Sequence, residues 1–311
     1  MVRLKYKIAA AKIRKQFGSG DVKRDAGQTT PDDIIRFDSI SYGDDKKFPR
    51  WQLLDVYRPK SAGSAEGDGT LEKLPVIVVV HGGAWVYGDK DVYQFYGMRL
   101  AQRGFAVVNY SYRLAPEVKF PAALEDAEKV FQWVCDNAEK YGLDTQNVFA
   151  VGDSAGGHLL SLYAAAVTNE EYAKTYPFIH KKNLVLRGVG LNCGKYSMDE
   201  ALAGDKQMKL LLGGMMQEGG TPKEVKILDS YAHVTKDFPP SFVMTCKGDF
   251  LLGQAPIIVK ALEAAGVKHE YNIYGTDEMP LWHVFHCDPK LQEAVICNDD
   301  ECNFFKSLIQ Q

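Results

Sequence analysis

The sequence predicts a mostly parallel β-sheet with helices on both of its faces. Continuous apolar, β-branched runs such as residues 74–80, LPVIVVV, mark strands buried on both sides, because a half-exposed strand would alternate with polar residues. Helical patterns fill most of the gaps between such runs, as strand–helix–strand units require. The 311 residues are 46% apolar and 25% charged, and a chain of this size can bury roughly three-quarters of its unfolded surface without a disulfide or metal staple.

In chain order, residues 1–17 place Leu4, Ile8, Ala9, Ile13 and Phe17 at helical spacing, with Lys5, Lys7, Lys12, Arg14 and Lys15 mostly on other faces. A helix that packs over the rest of the protein is expected, in preference to one bound to a membrane surface. Two β-rich stretches follow at 34–42 and 51–57, then SAGSAEGDGT at 61–70, which reads as a solvent-exposed turn. Further strands are expected at 74–81, 105–112, 147–153, 184–191, 241–248 and 269–275. Helices are expected at 92–103, 120–141, 155–166, 254–265 and 290–309. Residues 195–237 break the alternation: helical in texture, rich in Met and Leu, and punctuated by Gly213, Gly214, Gly219 and Gly220. Short helices with adjustable joints are expected there, forming a lid above the carboxyl ends of the strands, where open α/β sheets bind ligands.

A charge of −3 leaves no electrostatic footprint for nucleic acid or anionic lipid. No stretch approaches the ~20 apolar residues that span a bilayer, and the N-terminus lacks the unbroken apolar stretch of an export signal. Six scattered cysteines suit reduced thiols and a cytoplasmic protein. Homo-oligomerisation is left open.

The chemistry concentrates in a few segments. Gly152-Asp153-Ser154-Ala155-Gly156 follows a strand and opens a helix, a sharp turn that needs glycines and exposes the serine at its apex. His81-Gly82-Gly83-Ala84-Trp85 ends the 74–80 strand, where glycines let backbone N–H groups approach a developing oxyanion. Gly82, Gly83 and Ala155 are the expected donors, and His81 is assigned a structural role. A nucleophilic serine needs a histidine base and an acid that holds it, in the chain order Ser, Asp or Glu, His. His283 and His286, in a loop after the last strand, are both suitably placed; His158 fits packing better, and His269 sits at the wrong end of its strand. Asp249, leaving the preceding strand, is the expected acid, ahead of Asp277, Glu278 and Asp288. A metal set drawn from His283, His286, Cys287, Cys297 and Cys302 matches no four-ligand spacing, so neither metal nor cofactor is expected. Arg113 is expected to pair with a carboxylate and tie its loop to the sheet. Trp85, Met215, Met216 and Trp282 are the candidates for an apolar substrate pocket.

Together these segments resemble the hormone-sensitive-lipase-like branch of the α/β-hydrolase esterases: HGGAW, Tyr112-Arg113-Leu114-Ala115-Pro116-Glu117, GDSAGG, GDFL around Asp249 and His283-Val284-Phe285 stand in the family's order. The resemblance implies an α/β-hydrolase fold, a mostly parallel twisted sheet of about eight strands with helices on both faces and a helical cap. It implies catalytic Ser154, Asp249 and His283, favouring His283 over His286. It also implies a catalytic domain at 31–311 with cap elements at 1–30 and 195–237. Ala84 stands where a third glycine is commoner, and Gly253 where the acid segment usually has a second Asp. The expected activity is hydrolysis of short-chain acyl esters, small molecules, through an acyl-enzyme. Amide or formamide hydrolysis, removal of acetyl or feruloyl groups from glycans, and a non-catalytic receptor are the alternatives.

Overall fold

The computed structural model describes residues 3–63, 71–180, 184–199 and 203–310; residues 64–70 of the expected turn, and 1, 2 and 200–202 of the expected cap elements, lie outside them. Eight strands form one sheet: β1 (Ile34–Ser41), β2 (Leu53–Pro59), β3 (Leu74–Val80), β4 (Ala106–Tyr110), β5 (Leu143–Asp153), β6 (Leu186–Asn192), β7 (Ser241–Cys246) and β8 (His269–Tyr274). Their order is β1-β2-β4-β3-β5-β6-β7-β8. The β1–β2 and β2–β4 pairs are antiparallel; every later pair is parallel. This is the expected fold class.

The reason for the continuous apolar run in β3 is visible in its packing. Val76, Val78 and Val80 enter the core on one side of the sheet, whereas Ile77 and Val79 enter the core on the other. Helices α2 (Gln94–Ala101) and α7 (Gln292–Lys306) cover the second side. Helices α3 (Ala122–Asp136), α4 (Ala155–Thr168) and α6 (Ala255–Ala265) cover the first. Trp51, expected in a strand, sits instead in a 3₁₀ turn (Pro49–Gln52) where proline at its first position sets the helical φ.

Two further helices, α1 (Leu4–Asp25) and α5 (Lys206–Met215), pack on each other. Ala10 and Ile13 of α1 are buried. Arg14 fastens α1 to the body: its guanidinium donates to both Glu117 carboxylate oxygens at 2.8 and 2.7 Å, to Val86 O at 2.7 Å and to Ala115 O at 3.1 Å. The expectation of glycine joints is half met. Gly219 and Gly220 turn the chain at φ 85° and 80°, but Gly213 and Gly214 lie inside α5, where the absence of a side chain lets the Tyr6 ring of α1 approach.

Three fully buried histidines set part of the pH response. Burial, followed by the charges of His283 and Arg24, pushes His286 down to about 3, and burial pushes His81 and His158 to about 4. Each folded-state pKa lies below the ordinary value near 6.5, so as pH falls below 6.5 the unfolded chain gains protons that the folded chain refuses. Stability is therefore lost on acidification. Between pH 7 and pH 5, a His286→Met variant should lose about 2 kcal/mol less unfolding free energy than the parent chain, read from denaturant titrations at both pH values. Gly156→Ala should fail to reach parental stability at any pH, because its Cβ would collide with the Val80 carbonyl oxygen.

Candidate active site

Ser154 stands between β5 and α4 with φ 53° and ψ −117°, a conformation that costs a non-glycine residue on the order of 1–3 kcal/mol. Its surroundings hold it there. Ser154 N–H donates to Asn192 O at 3.0 Å, and its carbonyl accepts from His158 N–H at 3.1 Å and Lys195 N–H at 3.3 Å. Backbone strain gathers around this point. Of six non-glycine residues with positive φ among those described, Ala84, Trp85, Ser154 and Val284 line one cavity, and Cys193 follows the end of β6.

The loop after β3 runs beside this turn, because β3 and β5 are neighbours with Val80 opposite Gly152. The fully buried Asp153 joins the two. Gly82 N–H donates to Tyr93 Oη at 2.9 Å and Asp153 Oδ1 at 3.1 Å, and Tyr93 Oη–H donates to Asp153 Oδ2 at 2.7 Å. Burial raises the Asp153 carboxyl to about 6 against the opposing pull of Tyr93 and His283. Gly82 was an expected oxyanion donor, and its N–H is already engaged; the position next to the strand end points it into the protein. Gly83 and Ala84 N–H have no acceptor among the described residues, and both residues line the cavity. Ala155, first residue of α4, has an N–H with no intrahelical partner. Sequence reasoning missed Asp153 and Tyr93, although the acidic residue inside GDSAG was a signal.

Asp249 and His283 meet as expected. His283 Nδ1 lies 2.7 Å from Asp249 Oδ1, which also accepts from Leu251 N–H at 2.8 Å, while Thr245 Oγ1 donates to Oδ2 at 3.0 Å. Burial alone would raise the Asp249 carboxyl, but the His283 bond and charge and the Leu251 N–H outweigh it and hold the pKa below the usual value. The exposed Phe250 ring tilts against the imidazole, centroids 4.3 Å apart. The competing acids are elsewhere engaged or exposed: Asp277 pairs with Lys247 at 3.2 Å, Asp288 accepts from Lys290 N–H, and Glu278 is exposed.

Ser154, His283, Gly83, Ala84 and Ala155 face a cavity of about 860 Å³, roofed by α1 and α5. Trp85 and Trp282 line it as expected. Met215 and Met216 do not. Both are buried at the end of α5, where Phe120 N–H donates to Met215 O at 2.9 Å, and Met208 and Leu211, nearer the start of that helix, line the cavity together with Ile13 and Phe17 of α1.

The remaining histidines have structural contacts. His81 stacks on Tyr112 at 4.0 Å and donates from Nδ1 to Gly82 O at 2.8 Å. His158 accepts from Trp85 Nε1–H at 3.1 Å and, through Nε2, bonds Leu228 O at 2.8 Å, which assigns the Nε2–H tautomer. His286 packs edge-on to Tyr96. Arg113 pairs with Asp126 at 2.9 Å and Glu125 at 2.8 Å, the structural tie expected of it. Among the described residues, Cys193, Asp249 and His283 could hold a metal, their ligand atoms lying within 4.8 Å of one another. Two of them already share a hydrogen bond, and burial pushes the Cys193 thiol well above its usual range, so a cation would have to displace protons from both sulfur and imidazole.

Residues 54–255 match the BD-FAE family. The chain is 29% identical over 248 residues to versiconal hemiacetal acetate esterase of Dothistroma septosporum, covering 73% of this chain and 71% of that protein. It is 32% identical over 158 residues to ethyl acetate hydrolase of Pseudomonas putida, covering 50% and 46%, so the chain spans under half the length of that relative. Among solved structures, esterase B from Lactobacillus rhamnosis superposes with a TM-score of 0.86 at 25% identity, covering 98% of this chain and 96% of that one. The esterase of Pyrobaculum calidifontis gives 0.69 at 25% identity, covering 96% and 92%. The chain belongs to the BD-FAE family and is an α/β-hydrolase-fold ester hydrolase, in keeping with the resemblance carried by its motifs.

Proposed function

We propose that the protein is a serine carboxylesterase that cleaves short-chain acyl esters through an acyl-enzyme. The observation that carries this is the Asp249–His283 bond of 2.7 Å facing the same cavity as the strained Ser154. His283 takes the Ser154 proton as the hydroxyl attacks the ester carbonyl, and Asp249 stabilises the imidazolium and fixes its tautomer. Negative charge on the carbonyl oxygen is met by the N–H groups of Gly83, Ala84 and Ala155, with Gly82 holding the loop in place. His283 then protonates the leaving alcohol, and water repeats the cycle on the acyl-enzyme. No step calls for a cofactor. Residues 1–30 and 195–237 act as the cap over a catalytic body.

Support for small acyl groups comes from the relatives' names, an acetate esterase and an ethyl acetate hydrolase, and from the tributyrin phosphonate inhibitor carried by a structure of esterase B at 26% identity and a TM-score of 0.85. A cavity of about 860 Å³ leaves room for a larger alcohol portion beside a short acyl chain.

Ser154→Ala should lower kcat by a factor on the order of 10⁶, measured with p-nitrophenyl butyrate; near-normal turnover would overturn the assignment. Asp249→Asn should cost about 10⁴, and the same loss from Asp288→Asn with Asp249→Asn active would relocate the acid. In a series of p-nitrophenyl acetate, butyrate and octanoate, kcat/KM should fall toward octanoate; a maximum at octanoate would rule out the short-acyl preference.

A further inference from the structure

Helix α1 has two unlike faces. Tyr6, Ala10, Ile13, Phe17 and Arg24 turn toward the body and the cavity, where Ala10 and Ile13 are buried and Phe17 and Arg24 line the wall. Leu4, Ile8, Ala11, Lys15 and Val22 recur at intervals of four, three, four and seven, so they form one stripe on the opposite side. Leu4 is 71% exposed, Ile8 49% and Val22 73%. Apolar side chains aligned along one exposed helix face suit a surface that covers them.

The charges beside the stripe indicate what that is. The 22-residue helix holds seven basic and two acidic residues. Arg14 and Arg24 are used internally, paired with Glu117 and with Asp21 and Asp25. Lys5, Lys7, Lys12 and Lys15 are exposed and none makes an ion pair among the described residues; by helical geometry Lys15 sits on the stripe itself and Lys5, Lys7 and Lys12 flank it. The chain as a whole carries −3, so these cations face outward on a protein that is otherwise acidic, and screening over about 10 Å lets a nearby surface feel the helix alone. Leucine, isoleucine and valine interleaved with unpaired lysines on one face match the interface of an anionic bilayer, whose headgroups take the ammonium groups while the short apolar chains enter the acyl boundary.

We infer that the outward face of α1 docks on an anionic lipid surface. Docking there presses on the roof of the cavity and leaves the exposed Phe250 and Trp282 at its wall free to receive an ester. The inference stands apart from the chemistry of Ser154, because binding is read without substrate.

The test is co-sedimentation of the full chain with vesicles of phosphatidylcholine alone and of phosphatidylcholine with phosphatidylglycerol. Binding is expected only to the mixed vesicles and should weaken steeply with salt. Each lysine near an anionic leaflet multiplies partitioning roughly fivefold, so a Lys5→Gln, Lys7→Gln, Lys12→Gln, Lys15→Gln variant should bind at least about tenfold more weakly, with unchanged hydrolysis of p-nitrophenyl acetate as proof of folding. Leu4→Ser with Ile8→Ser and Val22→Ser should weaken binding even at the salt concentration where the parent is half bound. No binding to the mixed vesicles at low salt, equal binding by the lysine variant, or tighter binding to duplex DNA than to vesicles at the same ionic strength would each overturn the inference.

Discussion

A carboxylate with almost no exposed surface, that of Asp153, sits between the two loops on which the site is built and bonds both Gly82 N–H and Tyr93 Oη. The parallel register of β3 and β5 places the two loops side by side, but register leaves the loop atoms free to shift by the ångström that separates aligned N–H donors from misaligned ones. The carboxylate removes that freedom. It is also a costly group to bury, as its pKa near 6 shows, and an unmet acceptor there would forfeit about 1–3 kcal/mol. The loop that leaves it unbonded is thus the less stable one, and the geometry of Gly83 and Ala84 follows from satisfying Asp153.

From that point the constraint spreads to the roof. Trp85, two residues beyond Gly83, donates to His158 on α4, and His158 bonds Leu228 O in the insertion between β6 and β7. The next residue, Val86, accepts from Arg14 of α1, whose guanidinium also grips Glu117. One short loop is therefore tied to the Ser154 turn, to the insertion and to the N-terminal helix. A neutral His158 is part of this arrangement, since a protonated ring could no longer accept from the Trp85 indole, and burial keeps it neutral down to about pH 4. Roof and the loop after β3 are mechanically one assembly, although they come from three distant stretches of chain.

Strands and the placing of Ser154, Asp249 and His283 around one cavity were legible because each is written in local pattern: β-branched runs for strands packed on both faces, glycines where a turn leaves no room for Cβ, a carboxylate and a histidine at successive strand ends. What escaped depends on which side of a residue faces in. Gly82 and Gly83 are identical letters, and only the nearby Asp153 decides which N–H is spent. Met215 and Met216 look like pocket residues in sequence, yet the end of α5 meets Phe120 and buries them, while Met208 and Leu211 take the wall. His158 was legible as a packed residue but not as the link between two loops, because both of its partners are remote in sequence.

Helix α1 shows the same limit in another form. Helical spacing identified Leu4, Ile8, Ala9, Ile13 and Phe17 as one apolar set, and a packed helix accounts for Ile13; but Leu4 and Ile8 lie outward, half a turn from it. The sequence pattern blurs because two sides of this helix are apolar, one against protein and one against solvent, with lysines set between. Net charge blurs in the same way. A sum of −3 describes the field far from the molecule, whereas a surface within a Debye length of α1 meets its unpaired lysines and little else. Composition bears on a spanning helix, which needs a long apolar run, and no helix among the described residues is long and apolar enough to cross a membrane; it had no power over a contact made by one face of one helix.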